Sequence, residues 1–164
     1  MTTPLPPSPA WLPAMFQMSP WSTQLMESLY ALFLRDFVHA PVHYEGHMVW
    51  FFPEKERNKE LIFWHLVERE DPPNSGNRVA DFRRSERLPW ARPMLENLGQ
   101  PEILNWDYEE GDGGIRTYVW LKDFDYLIVM KRYRDGRRRL ITAHYLDYES
   151  KRKSLAKKYD KRLA

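Results

Sequence analysis

The run YLIVMKRYRDGRRRLITAHYLDY (126–148) constrains the fold more than any other part of the chain. It contains two apolar stretches, 127–130 and 140–143, joined by a polar segment in which Asp135 and Gly136 form a strong hairpin signal. The run therefore predicts two antiparallel strands with their apolar stretches opposite each other.

Two more apolar stretches, ILNWDY (103–108) and IRTYVWL (115–121), precede this hairpin and are separated by turns rich in Gly and Asp. Four strands in sequence with short links predict an antiparallel meander. Side chains alternate between the two faces of a strand. We therefore expect one face to carry Ile115, Thr117, Val119 and Leu121, and the other to carry Arg116, Tyr118 and Trp120.

The N-terminal half shows mixed signals. The patterns predict a helix capped by Ser22-Thr23 and reaching about Val38, a hairpin over 42–52 with Gly46 at its turn, a strand ELIFWHLV (60–67), and a helix from Asp81 to Leu98 broken at Pro89 and Pro93. The fold class predicted is α+β, with N-terminal helices and a hairpin, then a roughly four-stranded antiparallel sheet and a C-terminal basic helix. We expect helices to cover one face of the sheet and to leave the other open to a ligand.

Composition divides the chain into an arm and one domain. Residues 1–20 hold six of the 13 prolines and no charged side chain, which predicts a proline-rich arm that either docks through Trp11 and Phe16 or stays loose. Residues 21–164 are predicted to form a single domain. The absence of cysteine excludes disulfides, thiol catalysis and the usual zinc modules. With no leader or membrane segment recognised, we expect a cytoplasmic protein without a membrane partner.

Positive charge is concentrated near the C-terminal end. Residues 131–162 contain 13 Lys and Arg against four Asp and Glu, a local net charge of +9 in a chain whose net charge is +2. Clustered cations can neutralise phosphates, so this segment is predicted to bind nucleic acid. The alternative interpretation is a solvated basic helix with no ligand. The residues predicted to bind nucleic acid are Lys131, Arg132, Arg134, Arg137, Arg138, Arg139, Lys151, Arg152 and Lys153.

Five residues are candidates for catalysis: His65, Arg84, Glu86, Arg87 and Thr142. Ribonuclease chemistry without a metal needs a base, an acid and cations around one phosphate, and these residue types supply them. Each also has an ordinary structural explanation: His65 as a semi-buried histidine, Glu86 and Arg87 as a surface ion pair, Thr142 as a common strand residue. No cofactor is predicted. His39, His43 and His47 do not suggest a metal site, because Pro41 and Gly46 break the helix that would align them.

The order of WHLVERE (64–70), DFRRSERLPW (81–90) and LITAHY (140–145) resembles the small ribonucleases of the barnase/EndoU/colicin/RelE-like (BECR) superfamily, especially the phage-associated branch. The resemblance covers about residues 60–148. It implies helices before a four-stranded antiparallel sheet, and it maps the family's histidine onto His65, its helix-borne cations onto Arg83, Arg84 or Arg87, and its final-strand threonine onto Thr142. A second histidine that some relatives show after the first is missing here, so Glu68, Glu86 or His144 would have to replace it.

The function predicted is a metal-independent endoribonuclease, toxin-like or phage-linked. It would cleave RNA by attack of the RNA's own 2′-hydroxyl on the adjacent phosphate. Its partners would be RNA and a protein antitoxin or phage protein. Two alternatives stay open: a non-catalytic nucleic-acid-binding module, and an interaction protein of a phage or mobile element. We expect His65, Arg84, Glu86, Arg87 and Thr142 to meet at one cleft.

Overall fold

A computed structural model describes residues 6–164 of the chain. The helices are α1 (Thr23–Phe33), α2 (Leu61–Val67), α3 (Phe82–Glu86), α4 (Ala91–Glu96) and α5 (Glu149–Asp160). The strands are β1 (Val42–Tyr44), β2 (His47–Trp50), β3 (Lys55–Glu56), β4 (Lys59–Glu60), β5 (Glu68–Glu70), β6 (Arg78–Ala80), β7 (Ile103–Glu109), β8 (Ile115–Leu121), β9 (Tyr126–Arg132) and β10 (Arg138–Tyr145). The mixed α+β class is confirmed.

The first helix begins and ends where the sequence predicts. The side chain of Ser22 caps α1 by accepting a hydrogen bond from the backbone N–H of Leu25 at 3.1 Å. The helix continues as one π-helical turn over Leu34–Val38 and then stops before Pro41.

Six strands form the main sheet, in the order β1-β2-β10-β9-β8-β7. The antiparallel meander β7–β10 is present as predicted, and the turns at Gly113 and Gly136 have positive φ. The sheet is wider than predicted because the β1–β2 hairpin adds to its edge. That junction is a parallel pair in which Arg138 lies opposite Val49 and Arg139 opposite Trp50. No local sequence pattern predicts a pairing between segments this far apart in the chain.

Both faces of the sheet are covered, which corrects the expectation of one open face. Val119 and Leu121 face a large core formed with the N-terminal helices, whereas Tyr118 and Trp120 face a second core. The alternation along β8 is therefore as predicted. Leu155 of α5 packs into the second core, so the basic C-terminal helix closes the face that we expected a ligand to use.

The segment ELIFWHLV, predicted as a strand, is mostly the helix α2. Five of its seven helical residues are buried: Ile62, Phe63, Trp64, Leu66 and Val67. A helix buried on nearly all sides has no polar stripe, so its sequence looks like a short buried strand. The predicted helix over 81–98 is present as α3, a 3-10 turn (Leu88–Trp90) and α4.

The described part of the proline-rich arm, residues 6–20, docks on the body. Leu12 and Met18 are buried in the large core, and Trp11 and Phe16 pack against it. The indole N–H of Trp90 donates to the carbonyl oxygen of Pro13 at 2.8 Å. None of the helices between residues 6 and 164 combines the length and apolar character needed to cross a lipid bilayer.

Candidate active site

An open cleft of about 730 Å³ lies beside β10. Its position follows from the sheet topology, since β2 pairs with β10 only at Arg138 and Arg139. Beyond Arg139 that side of β10 has no strand neighbour among the described residues, and α2 and α3 pack there instead. The cleft therefore forms where a strand and two helices meet without filling the space between them.

The helix α2 and the strand β10 are tied together across the cleft. Thr142 donates its hydroxyl hydrogen bond to the backbone carbonyl of His65 at 3.3 Å, although 77 positions separate the two residues. Both residues line the cleft. Because the single hydroxyl proton is used in this bond, Thr142 positions α2 here, and its predicted donation to a phosphate oxygen would require it to leave the carbonyl.

Arg84 places a cation in the wall of the cleft. Asp81 caps α3 by accepting from the backbone N–H of Arg84 at 3.1 Å. The Nη1 atom of Arg84 donates to the carbonyl oxygens of His65 at 3.0 Å and Glu68 at 2.7 Å. Nη2 makes no hydrogen bond within the described residues. Burial lowers the pKa of Arg84, yet a guanidinium remains charged. The arginine thus presents an anchored positive charge with one amino group available to a ligand.

Two partly buried histidines line the same cleft. Burial lowers the pKa of His65, with further lowering from Arg78 and Arg84. Burial likewise lowers the pKa of His144 to about 4, assisted by Arg84 and Lys151. The Nδ1 atom of His144 is buried without a hydrogen-bond partner in the described residues. Imidazoles can accept and return protons, and in this cleft burial and the nearby cations favour the neutral, proton-accepting form of both.

His144 was not among the five predicted catalytic residues, although it was considered as a replacement for a missing histidine. The signal that could have found it is the period of two along a strand, which places His144 on the same side as Thr142. Arg78, which also lines the cleft, gives no such signal. Its Nη2 atom donates to the carbonyl of Glu68 at 3.0 Å, a contact that depends on the pairing of β5 with β6.

Glu86 and Arg87 lie outside the lining of the cleft, so the expected convergence holds for three residues of five. Glu86 is two helical positions beyond Arg84, which turns it roughly 200° away from the cleft. Its carboxylate accepts from Arg87 at 3.3 Å, and its carbonyl accepts from the backbone N–H of Phe16 at 2.7 Å. The guanidinium of Arg87 lies 4.4 Å from the ring centre of Tyr145. Arg87 thus supports a residue of the cleft wall from behind.

The nine predicted nucleic-acid-binding residues divide by environment. Arg139 and Lys151 line the cleft. Lys131, Arg134 and Lys153 are exposed. Arg132, Arg137 and Arg152 form ion pairs with Asp107, Asp135 and Asp125 at 2.8, 2.7 and 2.9 Å.

Arg138 is a correction to the predicted surface, because it is only 3% exposed. Its Nε atom donates to the hydroxyl of Thr117 at 3.1 Å, and its Nη2 atom lies 3.3 Å from the carboxylate of Asp107. The guanidinium also stacks on Tyr44, at 4.8 Å from the ring centre. Its charge neutralises a carboxylate inside the sheet and does not reach a ligand.

Within residues 6–164, no group of three or more His, Asp or Glu side chains is arranged to hold a metal ion. The groups that the cleft does offer are imidazoles, guanidinium groups, an amine, hydroxyls, the side-chain amide of Asn74 and the carboxylates of Glu70, Asp71 and Asp147. Neither a family model, nor a curated protein, nor a solved structure matches the chain.

Proposed function

We propose that the protein is a metal-independent endoribonuclease that cleaves RNA in the cleft beside β10. The observation that carries the proposal is that His65, His144 and Arg84 line one open cleft although they come from three separate elements. Proton transfer by two imidazoles beside a fixed cation is what phosphoryl transfer from RNA needs. The toxin-like or phage-linked setting implied by the BECR resemblance belongs to the same proposal.

The reaction begins when one imidazole takes the proton from a ribose 2′-hydroxyl. The 2′-oxygen then attacks the adjacent phosphorus, and the bond from phosphorus to the 5′-oxygen breaks. The other imidazole, in the protonated form that the negative charge of a bound phosphate favours, gives a proton to that leaving oxygen. The products are a 2′,3′-cyclic phosphate and a 5′-hydroxyl end. The Nη2 group of Arg84 stabilises the negative charge that builds on the phosphorane.

The test is incubation of the purified protein with RNA in EDTA, followed by identification of the product ends. His65→Ala and His144→Ala should each lower the cleavage rate by about 10²- to 10⁴-fold while RNA binding survives. His39→Ala, a change on the exposed surface, is the matched control and should cleave as the wild type does.

Cleavage by both histidine variants at the wild-type rate would end the nuclease proposal. Binding of RNA by the wild-type protein without any cleavage would leave the non-catalytic binding module, which uses the same cations. Cleavage that disappears in EDTA and returns with a divalent cation would contradict the metal-independent mechanism.

A further inference from the structure

Two exposed aromatic rings line the cleft. Phe52 is 47% exposed and Tyr148 is 63% exposed, although large hydrophobic and aromatic side chains are usually buried more deeply. Phe52 follows β2 and lies against Arg139, near the start of β10, and Tyr148 comes three residues after the end of β10. From Arg139 to Tyr145 the strand runs roughly 20 Å at about 3.3 Å per residue. The strand between the two positions is therefore long enough to span several nucleotides.

Each ring is paired with a cation. The guanidinium of Arg139 lies 4.3 Å from the ring centre of Phe52, and its Nε atom donates to the hydroxyl of Tyr133 at 3.1 Å. The Nζ atom of Lys151 lies 5.3 Å from the ring centre of Tyr148. Phe52 also meets Trp50 in an edge-to-face contact, with ring centres 5.4 Å apart, but 47% of Phe52 stays exposed. The exposed part of such a ring can receive a base while the cation reaches the neighbouring phosphate.

We propose that Phe52 and Tyr148 are stacking platforms for unpaired bases on either side of the scissile phosphate, so that the substrate is single-stranded RNA. This inference rests on the proposed nuclease function. Free base faces exist only where nucleotides are unstacked, because in a duplex each face is covered by the next base pair. Single strands, loops and bulges therefore fit the cleft, and the interior of a regular duplex does not.

The experiment measures affinity and cleavage separately. A short single-stranded DNA lacks the 2′-hydroxyl that attacks, so it reports binding without turnover. Phe52→Ala and Tyr148→Ala should each weaken its binding about tenfold, as expected for the loss of one stacked base. Phe52→Trp and Tyr148→Phe keep an aromatic ring at each position and should bind the DNA with an affinity close to that of the wild type. Phe82→Ala is the control, since Phe82 is 45% exposed, stacks on Trp21 and lies outside the cleft lining.

Cleavage is then compared on one RNA sequence presented as a single strand, as a hairpin loop and as a duplex. We expect cuts in the single strand and in the loop, and a rise in KM with little change in kcat for Phe52→Ala and Tyr148→Ala. An unchanged thermal midpoint will show that both variants are folded.

The two proposals fail in different ways. If RNA is cleaved but the duplex is cut as fast as the single strand, or neither ring affects binding, the stacking inference is overturned and the nuclease remains. If no RNA is cleaved but binding of the single strand depends on both rings, the nuclease proposal falls and the stacking surface stands.

Discussion

At the scale of single residues, the cleft is defined by polar groups whose protonation or hydrogen bonds are set by the fold. His144 is the clearest of these, because it is largely buried, its Nδ1 atom has no partner among the described residues, and Arg84 and Lys151 lie near it. The sequence predicted His65, Arg84 and Thr142 correctly as residues of one cleft, since each stands in a recognisable motif. The prediction that Arg138 binds nucleic acid was wrong, because Arg138 is buried. A charged residue within a basic run is expected to be exposed, and only the pairing of the strands shows which face it occupies.

The buried state of His144 predicts a loss of stability in acid. Its pKa is about 4 in the folded protein, against about 6.5 for an unperturbed histidine, so the unfolded chain binds the proton first as the pH falls. This contribution to stability is complete above about pH 6.5 and is lost as the pH falls toward 4. Between pH 7 and pH 4, the free energy of unfolding measured in urea should fall by up to about 3 kcal/mol more for the wild type than for His144→Gln.

Carboxylates also titrate in this range, so the comparison between proteins carries the result. His39→Gln, at an exposed position, should follow the wild-type curve. Parallel curves for wild type and His144→Gln would show that the environment of His144 does not favour its neutral form.

At the scale of elements, the strands of the meander and most helices could be predicted because each carries its own periodic pattern. The helix α2 could not, since a seven-residue segment buried on most sides displays no period. The placement of α5 could not be predicted either. Its basic residues indicated a free surface, whereas Leu155, with Ala156 and Tyr159 packed beside it, attaches the helix to the sheet.

Leu155 tests how firmly α5 is attached. It is 5% exposed and packs among Trp106, Tyr118 and Trp120. Leu155→Ala should lower the free energy of unfolding by about 2–4 kcal/mol, because it removes buried methyl groups and leaves a cavity. The neighbouring change Lys153→Ala is exposed and should stay within about 0.5 kcal/mol of wild type. Equal free energies of unfolding for the two variants in urea would mean that Leu155 contributes no packing.

At the scale of the whole molecule, the charge segregation seen in the sequence divides into two kinds of cation. Some, such as Arg134, are exposed, and others, such as Arg138, complete the interior of the sheet. The sequence predicted the excess of positive charge but not this division, which depends on pairing between β2 and β10. The cleft begins where that pairing ends, and Arg78 is placed by the pairing of β5 with β6. Neither could be predicted from local sequence patterns.

Salt dependence separates the two kinds of cation. RNA binding should weaken with a log-log slope of about −0.7 per phosphate neutralised, and Arg134→Ala should reduce that slope by up to about 0.7 without changing stability. Arg138→Ala should instead lower the free energy of unfolding by about 3 kcal/mol, because Asp107 and Thr117 lose a buried partner. A slope that does not respond to Arg134→Ala would remove Arg134 from the binding surface.

The hydrogen bond between Thr142 and His65 joins the two walls of the cleft across 77 positions of the chain. A ribosome that has released the chain only as far as α3 has therefore made one wall without the other. The cleft is completed when residues 138–145 have emerged and inserted between β2 and β9. Under the proposed function, a nascent chain would therefore lack a complete cleft for RNA until β10 has emerged.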